Sequence, residues 1–157
     1  MALAIFAFTA GVVQAADYPP IVVPAGEAPV IYPEGPAELL ASSAQTNNTM
    51  AMMIVYDLAG SGTAVPIDQA MGIAFYVLEG SYRFTFDGQP HDVGPGGAIV
   101  LPPRQVFEYK NIGTTTGRML FVSAPGGGDA FFLMSDDQHH ISKETMAKLN
   151  AKYGLKR

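Results

Sequence analysis

"FYVLEGSYRFTFDG", Phe75 to Gly88, is the stretch that decides the fold. It reads as one strand, a tight turn at Glu79-Gly80, and a second strand closed by Asp87-Gly88. Aromatic and β-branched runs punctuated by glycine turns form hairpins. Working outward, Gly72–Leu78, Tyr82–Phe86, Ala98–Leu101, Phe107–Asn111 and Arg118–Ser123 are short strand-like runs, each followed by turn residues. Ahead of them "TMAMMIVYDL", Thr49 to Leu58, is a continuous apolar strand, and "AGSGTAVP" after it is a loop. Short strands at this spacing predict an all-β sandwich or barrel.

The flanks differ from this centre. Asp17 to Pro36 holds six prolines, which exclude helix and predict an extended arm along a sheet edge. Ala37 to Asn48 is small and polar, a weak strand or loop. Near the other end, Ser142 is a good helix N-cap, Met146, Leu149 and Tyr153 share a helical face, and Gly154 stands at the C-cap. "PGGGD", from Pro125, reads as a flexible turn after the barrel. The expected organisation is a leader over residues 1–15, an arm over 16–48, a barrel over 49–125 and an extension with one short helix over 126–157.

Bulk composition narrows the function. A chain of 157 residues, 48% hydrophobic and 15% charged, fills one well-packed domain. A net charge of −5 and a pI near 5.0 argue against a nucleic-acid surface. Five of the nine basic residues lie in positions 143–157, so the rest of the chain is more acidic than the total suggests. Cysteine is absent, which removes disulfides, thiol catalysis and thiolate metal sites. "MALAIFAFTAGVVQA" is an apolar run ending in Val13-Gln14-Ala15, the pattern of a cleaved secretory leader, although no Lys or Arg precedes it. Export to a periplasmic or extracellular space follows as an expectation, with no membrane attachment after cleavage.

With "AFYVLEG", the Asp87-Gly88 turn, "VGPGGAIVLPP" and Asn111 in this order, residues 66–125 resemble the cupins, small double-stranded β-helices also called jelly-roll barrels. "KLNAKYGL" and "PAGEAP" extend the resemblance to single-domain, quercetin-dioxygenase-like cupins. The family's metal site takes two histidines and a glutamate just before the "AFYVLEG" strand, then a histidine after the double proline. Here the glutamate position is Ile73, the paired-histidine region reads "VPIDQAMG", and the last histidine falls on Phe107. Asp68 and Gln69 are the polar residues left there, Asn111 is retained, and Arg104 replaces the usual glycine after the prolines. The resemblance therefore implies the barrel without its metal, and no cofactor is expected. His91, at the start of the strand after the Asp87-Gly88 turn, reads as a solvent-facing or turn histidine, and "DDQHH" at 136–140 as a solvated connection rather than a ligand set.

The resemblance also implies an inward register: Ile73, Phe75 and Val77 on one strand, Tyr82, Phe84 and Phe86 on its hairpin partner, and Phe107, Tyr109 and Asn111 on another. Two readings stay open. Either these aromatics fill the barrel, or Gln69, Ile73, Phe75, Tyr82, Phe107, Tyr109 and Asn111 line a pocket for a small apolar or aromatic molecule. An enzyme is the alternative, either a metal-independent isomerase or lyase or a dioxygenase-like oxidoreductase; a homodimer is compatible with each. Glu108 should face outward, between two inward neighbours. The leader makes its own forecast: N-terminal sequencing of mature protein from its host should read Ala16 or Asp17 first, and intact Met1 on cytosolic protein would show that the apolar start belongs to the fold.

Overall fold

The structure, a computed structural model, describes residues 17–31, 36–63 and 66–130, together with 144, 147, 148 and 151. Nine strands appear among them: β1 (Val30–Ile31), β2 (Ala37–Ala41), β3 (Ala51–Asp57), β4 (Gly72–Glu79), β5 (Tyr82–Phe86), β6 (Gln89–Val93), β7 (Ala98–Leu101), β8 (Phe107–Asn111) and β9 (Gly117–Ala124). They build a six-stranded sheet in the order β1-β2-β3-β9-β4-β7 and a three-stranded sheet in the order β6-β5-β8. The expected hairpin over Phe75–Gly88 needs correcting: β4 and β5 do not pair, the Glu79-Gly80 turn carries the chain from one sheet to the other, and the paired hairpin is β5–β6, closed by Asp87-Gly88.

The proline-rich arm does reach a sheet edge: β1 and β2 pair antiparallel, and β2 pairs with β3. Residues expected in a loop do more than connect. Gly62 and Ile67 bridge to Lys110 and Phe107, so the segment after β3 lies along the open edge of β8. Asn111 N–H donates to the Ser61 carbonyl (2.7 Å) and Thr63 N–H to the Tyr109 carbonyl (3.0 Å). A side chain at Gly62 would overlap the Tyr109 carbonyl oxygen, so this approach needs glycine.

The two sheets face each other across rings. Phe75 sits centrally, its ring 5.1 Å from Phe84, 5.4 Å from Phe121, 5.6 Å from Tyr109 and 5.9 Å from Phe107. Ile73, Val77, Tyr82 and Met119 join the same buried cluster. Strand alternation is followed on every inward face, and Glu108 is exposed as expected. Phe86 is half-buried and stacks on His91, 4.2 Å between centroids, and His91 is exposed on strand β6, in keeping with a solvent-facing histidine.

The expected flexible turn at Pro125 needs correcting. Gly126, Gly128 and Asp129 are buried, and Gly128 packs so closely on the Phe121 ring that a side chain there would overlap it. Asp129 accepts from Ser43 N–H (2.8 Å) and from the Ser43 hydroxyl. Gly128 N–H donates to Ser123 Oγ (3.2 Å). Small residues let the chain fold back over the barrel end. Most of the expected C-terminal helix lies outside the described residues; Glu144, Ala147, Lys148 and Ala151 are helical and exposed.

Arg104 occupies the left-handed region, with φ of 67°. This explains the glycine implied there by the resemblance, because a Cβ in that conformation is disfavoured by roughly 1 kcal/mol. Its N–H donates to the Gln69 carbonyl (2.7 Å), which holds the turn in place. Arg104→Gly should therefore change stability by no more than about 1 kcal/mol, relief of strain opposing added unfolded-state entropy. Arg104→Val should cost on the order of 1–2 kcal/mol, because a β-branched side chain tolerates this φ worst. Urea unfolding of the two variants checks the order.

Candidate functional site

Three places in the barrel carry chemistry, beginning with the positions that the resemblance assigns to metal ligands. Ile73 is 4% exposed and Phe107 2% exposed, both within the apolar cluster. Gln69 lies at the barrel end beside them, half-buried, while Asp68 is exposed. Hydrocarbon at two of the positions offers no lone pair, so the residues present do not fit a metal ion. Among the described residues no three His, Cys, Asp or Glu side chains converge on one point. The "DDQHH" stretch lies outside the described residues.

At the other end of the barrel stands a carboxylate that sequence reasoning missed. Asp57 closes β3, in the inward parity of Ala51, Met53 and Val55. Tyr82 donates its hydroxyl to Asp57 Oδ2 (3.1 Å), and the Tyr109 hydroxyl reaches Oδ1 at 3.5 Å. Burial pushes the Asp57 carboxyl up to about 6, against the two tyrosine hydrogen bonds that pull it down. Burial first, then the negative charge of Asp57, holds both tyrosines well above their ordinary range. The cluster is thus one titrating acid flanked by two neutral donors. The signal for it was present: a lone acid at the end of an apolar strand, an even number of residues from three core positions.

Asn111, which the resemblance retains, is fully buried and fully engaged. Its Nδ2 donates to the carbonyls of Asp57 (3.0 Å) and Thr115 (2.9 Å), and its Oδ1 accepts from Gly113 N–H (2.9 Å). Those bonds fix the two loops that close this end, leaving no Asn111 group aimed into the barrel. Five of the seven expected pocket residues, Ile73, Phe75, Tyr82, Phe107 and Asn111, are buried; Gln69 and Tyr109 are partly exposed. The rings are in mutual contact, so the structure brings these residues together as packing.

An open cavity does exist on the outer side of the three-stranded sheet. It has a volume of about 460 Å³ and is lined by Gly60 to Thr63, Arg83, Thr85, Glu108, Tyr109 and Lys110. The glycines leave it open on one side, and the outward side chains of β5 and β8 form its floor. Arg83 is tied to Asp92 by two hydrogen bonds (2.7 and 2.8 Å), which fixes the guanidinium at the rim. Sequence reasoning passed over this place because its residues alternate with the core positions and read as an ordinary solvated face.

Residues 55–123 match the family described as "Cupin domain". Among solved structures, a protein described as a predicted oxalate decarboxylase from Thermotoga maritima superposes with a TM-score of 0.59 at 18% identity, covering 67% of this chain and 99% of the other. An RmlC-like cupin from Shewanella frigidimarina gives 0.56 at 17% identity, over 66% and 89% of the two chains. KdgF from Halomonas sp. gives 0.55 at 16%, over 63% and 86%. At such identities the likeness is one of fold. No curated protein matches the sequence.

Asp57 makes stability depend on pH. Its folded-state value of about 6 exceeds the ordinary carboxylate value, so the folded protein holds the proton more tightly. The stabilisation from protonated Asp57 is fully present below about pH 4 and is lost as pH rises through 6, on the order of 2–3 kcal/mol in all. Asp57→Asn should remove that slope. The check is the difference in urea midpoint between variant and parent at several pH values from 4 to 8; a constant difference would show that Asp57 does not titrate as described.

Proposed function

On the premise that this chain carries a cupin domain, we propose that it works without a metal, as an exported binding protein whose small ligand sits outside the barrel. The observation that carries this reading is the position of the rings. Phe107 and Ile73 stand where ligands would be, and Phe75 contacts four other rings around them. A small apolar or aromatic guest inside would have to displace side chains already in contact. Each large side chain so displaced forfeits roughly 2–4 kcal/mol of packing. The outer cavity needs no such displacement, and its size lies within the ordinary range for small-molecule sites.

Its lining favours a polar ligand over an apolar one. Lys110 supplies a cation, Thr85 a hydroxyl and Glu108 a carboxylate, while the Ser61 and Thr63 hydroxyls bond the backbone of Leu58 and Tyr109 and Arg83 is held by Asp92. A small hydroxy acid matches this set, with its carboxylate toward Lys110 and its hydroxyls toward Thr85 and Glu108. Export is supported by the apolar run and small-residue pattern of residues 1–15.

A second reading, metal-independent proton transfer, rests on Asp57 with its value near 6 between two tyrosine donors. Tyr82 is wholly buried, which leaves a substrate no approach to that hydroxyl and ranks this reading below the first.

Titrating labelled protein with a panel of small hydroxy acids, and following amide shifts by NMR, tests the proposal. Shifts at Gly60 to Thr63, Thr85 and Lys110, abolished by Lys110→Glu, are expected. Shifts confined to Ile73, Val77 and Met119 would return the ligand to the barrel. Near-equimolar transition metal surviving chelation would overturn the metal-free reading. Phe107→His should destabilise by about 2–4 kcal/mol in thermal or urea unfolding, since it strands an imidazole in packed core. A loss of about 1 kcal/mol or less would mean that the interior is open.

A further inference from the structure

The register of β5 against β8 sets Arg83 directly opposite Lys110 and Thr85 directly opposite Glu108, all on the outward face. Residues so opposed stand about 5 Å apart at Cβ, where two like charges oppose pairing and opposite charges favour it. On the other flank β6 follows the favourable rule, with Asp92 opposite Arg83. Beyond Lys110 comes Gly62, which bridges to it and adds no side chain. The row across the sheet therefore reads acid, cation, cation, gap, and the gap belongs to the outer cavity.

The two cations keep open positions toward that space. Asp92 takes Nε and Nη2 of Arg83 (2.7 and 2.8 Å), which is one edge of the guanidinium. The edge formed by Nη1 and the second Nη2 hydrogen stays free to meet another pair of oxygens. No ion pair or hydrogen bond engages the Lys110 ammonium among the described residues, and the Glu108 carboxylate is equally unengaged.

We propose, on the reading that the ligand sits in this cavity, that Arg83 and Lys110 together seat one carboxylate and that Glu108 excludes a second. The site then selects small monocarboxylic hydroxy acids over dicarboxylic ones. An oxygen pair between the open guanidinium edge and the ammonium relieves the like-charge opposition in the row. The neighbouring row, Thr85 and Glu108, offers a hydroxyl and an acceptor, which suit the ligand's own hydroxyl. A second carboxylate brought there would face Glu108 with both cations already engaged. Like-charge juxtaposition of this kind is a common means of rejecting a wrong partner. Charge balance agrees, because Arg83 and Lys110 are offset by Asp92 and Glu108, and the floor holds no excess positive charge to draw in a dianion.

Lactate and malate test this, since malate is lactate with a carboxylate added to its methyl group. Titrated into labelled protein at pH 7.5 and followed by the amide shifts of Gly62, Thr85 and Lys110, lactate should bind at least fivefold more tightly. Glu108→Gln should narrow the gap to twofold or less by strengthening malate. Arg83→Lys keeps the charge but lacks the second edge, and should weaken lactate at least threefold. Arg83→Gln should weaken it at least tenfold. These positions lie on the outer face, and unchanged amide shifts across β4 and β9 would show that each variant is folded. Malate binding the parent as tightly as lactate, or a gap untouched by Glu108→Gln, would overturn the selectivity. Lactate shifts that vanish in Lys110→Glu yet stay within twofold in both Arg83 variants would overturn the paired seat and leave the ligand in the cavity. No shifts at the cavity, or shifts at Ile73, Val77 and Met119 alone, would overturn this inference together with the reading it rests on.

Discussion

Phe75 is the contact on which the rest of this barrel depends. Its ring meets one ring from β5, two from β8 and one from β9, so a single side chain on β4 joins both sheets. Offset and edge-to-face rings gain about 0.5–1.5 kcal/mol per pair beyond the area they bury. That geometry ties the two sheets together through ring contacts. It also accounts for Ile73 and Phe107 together: once the centre is held by rings, a lone imidazole or carboxylate beside it would be a buried polar group without a partner.

Polar chemistry survives only where loops can satisfy it. Asn111 makes three hydrogen bonds to backbone, which spreads its burial over two loops. Asp57 is less well served, with two tyrosine hydroxyls as donors, and the upward shift of its carboxyl by burial reflects that deficit. The outer sheet face at Tyr56 shows the opposite solution. There Tyr56 donates to Glu38 (2.8 Å), the Arg118 guanidinium lies over the Tyr56 ring, and Arg118 pairs with Glu79 (3.1 Å). Glu79 meets the cation directly, and Glu38 is joined to it through the Tyr56 phenol.

Much of the fold was legible because turns and alternation speak locally. The two strands flanking Gly80, the strands from Ala98 onward and the outward aim of Glu108 all follow from period-two patterning and glycine punctuation, whereas the sheet each of the two flanking strands joins does not. What escaped was whatever depends on distant pairing. The role of "AGSGT" as an edge partner for β8 is invisible until the barrel brings Gly62 onto Lys110. Asp57 was counted inside the apolar strand Thr49 to Leu58 and passed over there as one acid among hydrophobic residues. "PGGGD" looked flexible because glycine is permissive; in the fold the same smallness lets it pass against Phe121. The candidate cavity was unreadable for a related reason, since its floor is the polar half of strands whose apolar half drew attention.

The bond between Asp129 and Ser43 reaches across 86 positions of chain and closes nearly the whole barrel into one loop. In many secreted domains of modest size such a closure is covalent, made between cysteines and dependent on an oxidising compartment. Here a carboxylate, a hydroxyl and a run of backbone amides make it, and nothing in the closure can be reduced. The fold is thereby indifferent to redox potential: the same closed barrel forms beside glutathione or in open water. The corresponding vulnerability is reversible rather than chemical, because a hydrogen-bonded clasp can open and shut again without an enzyme to repair it.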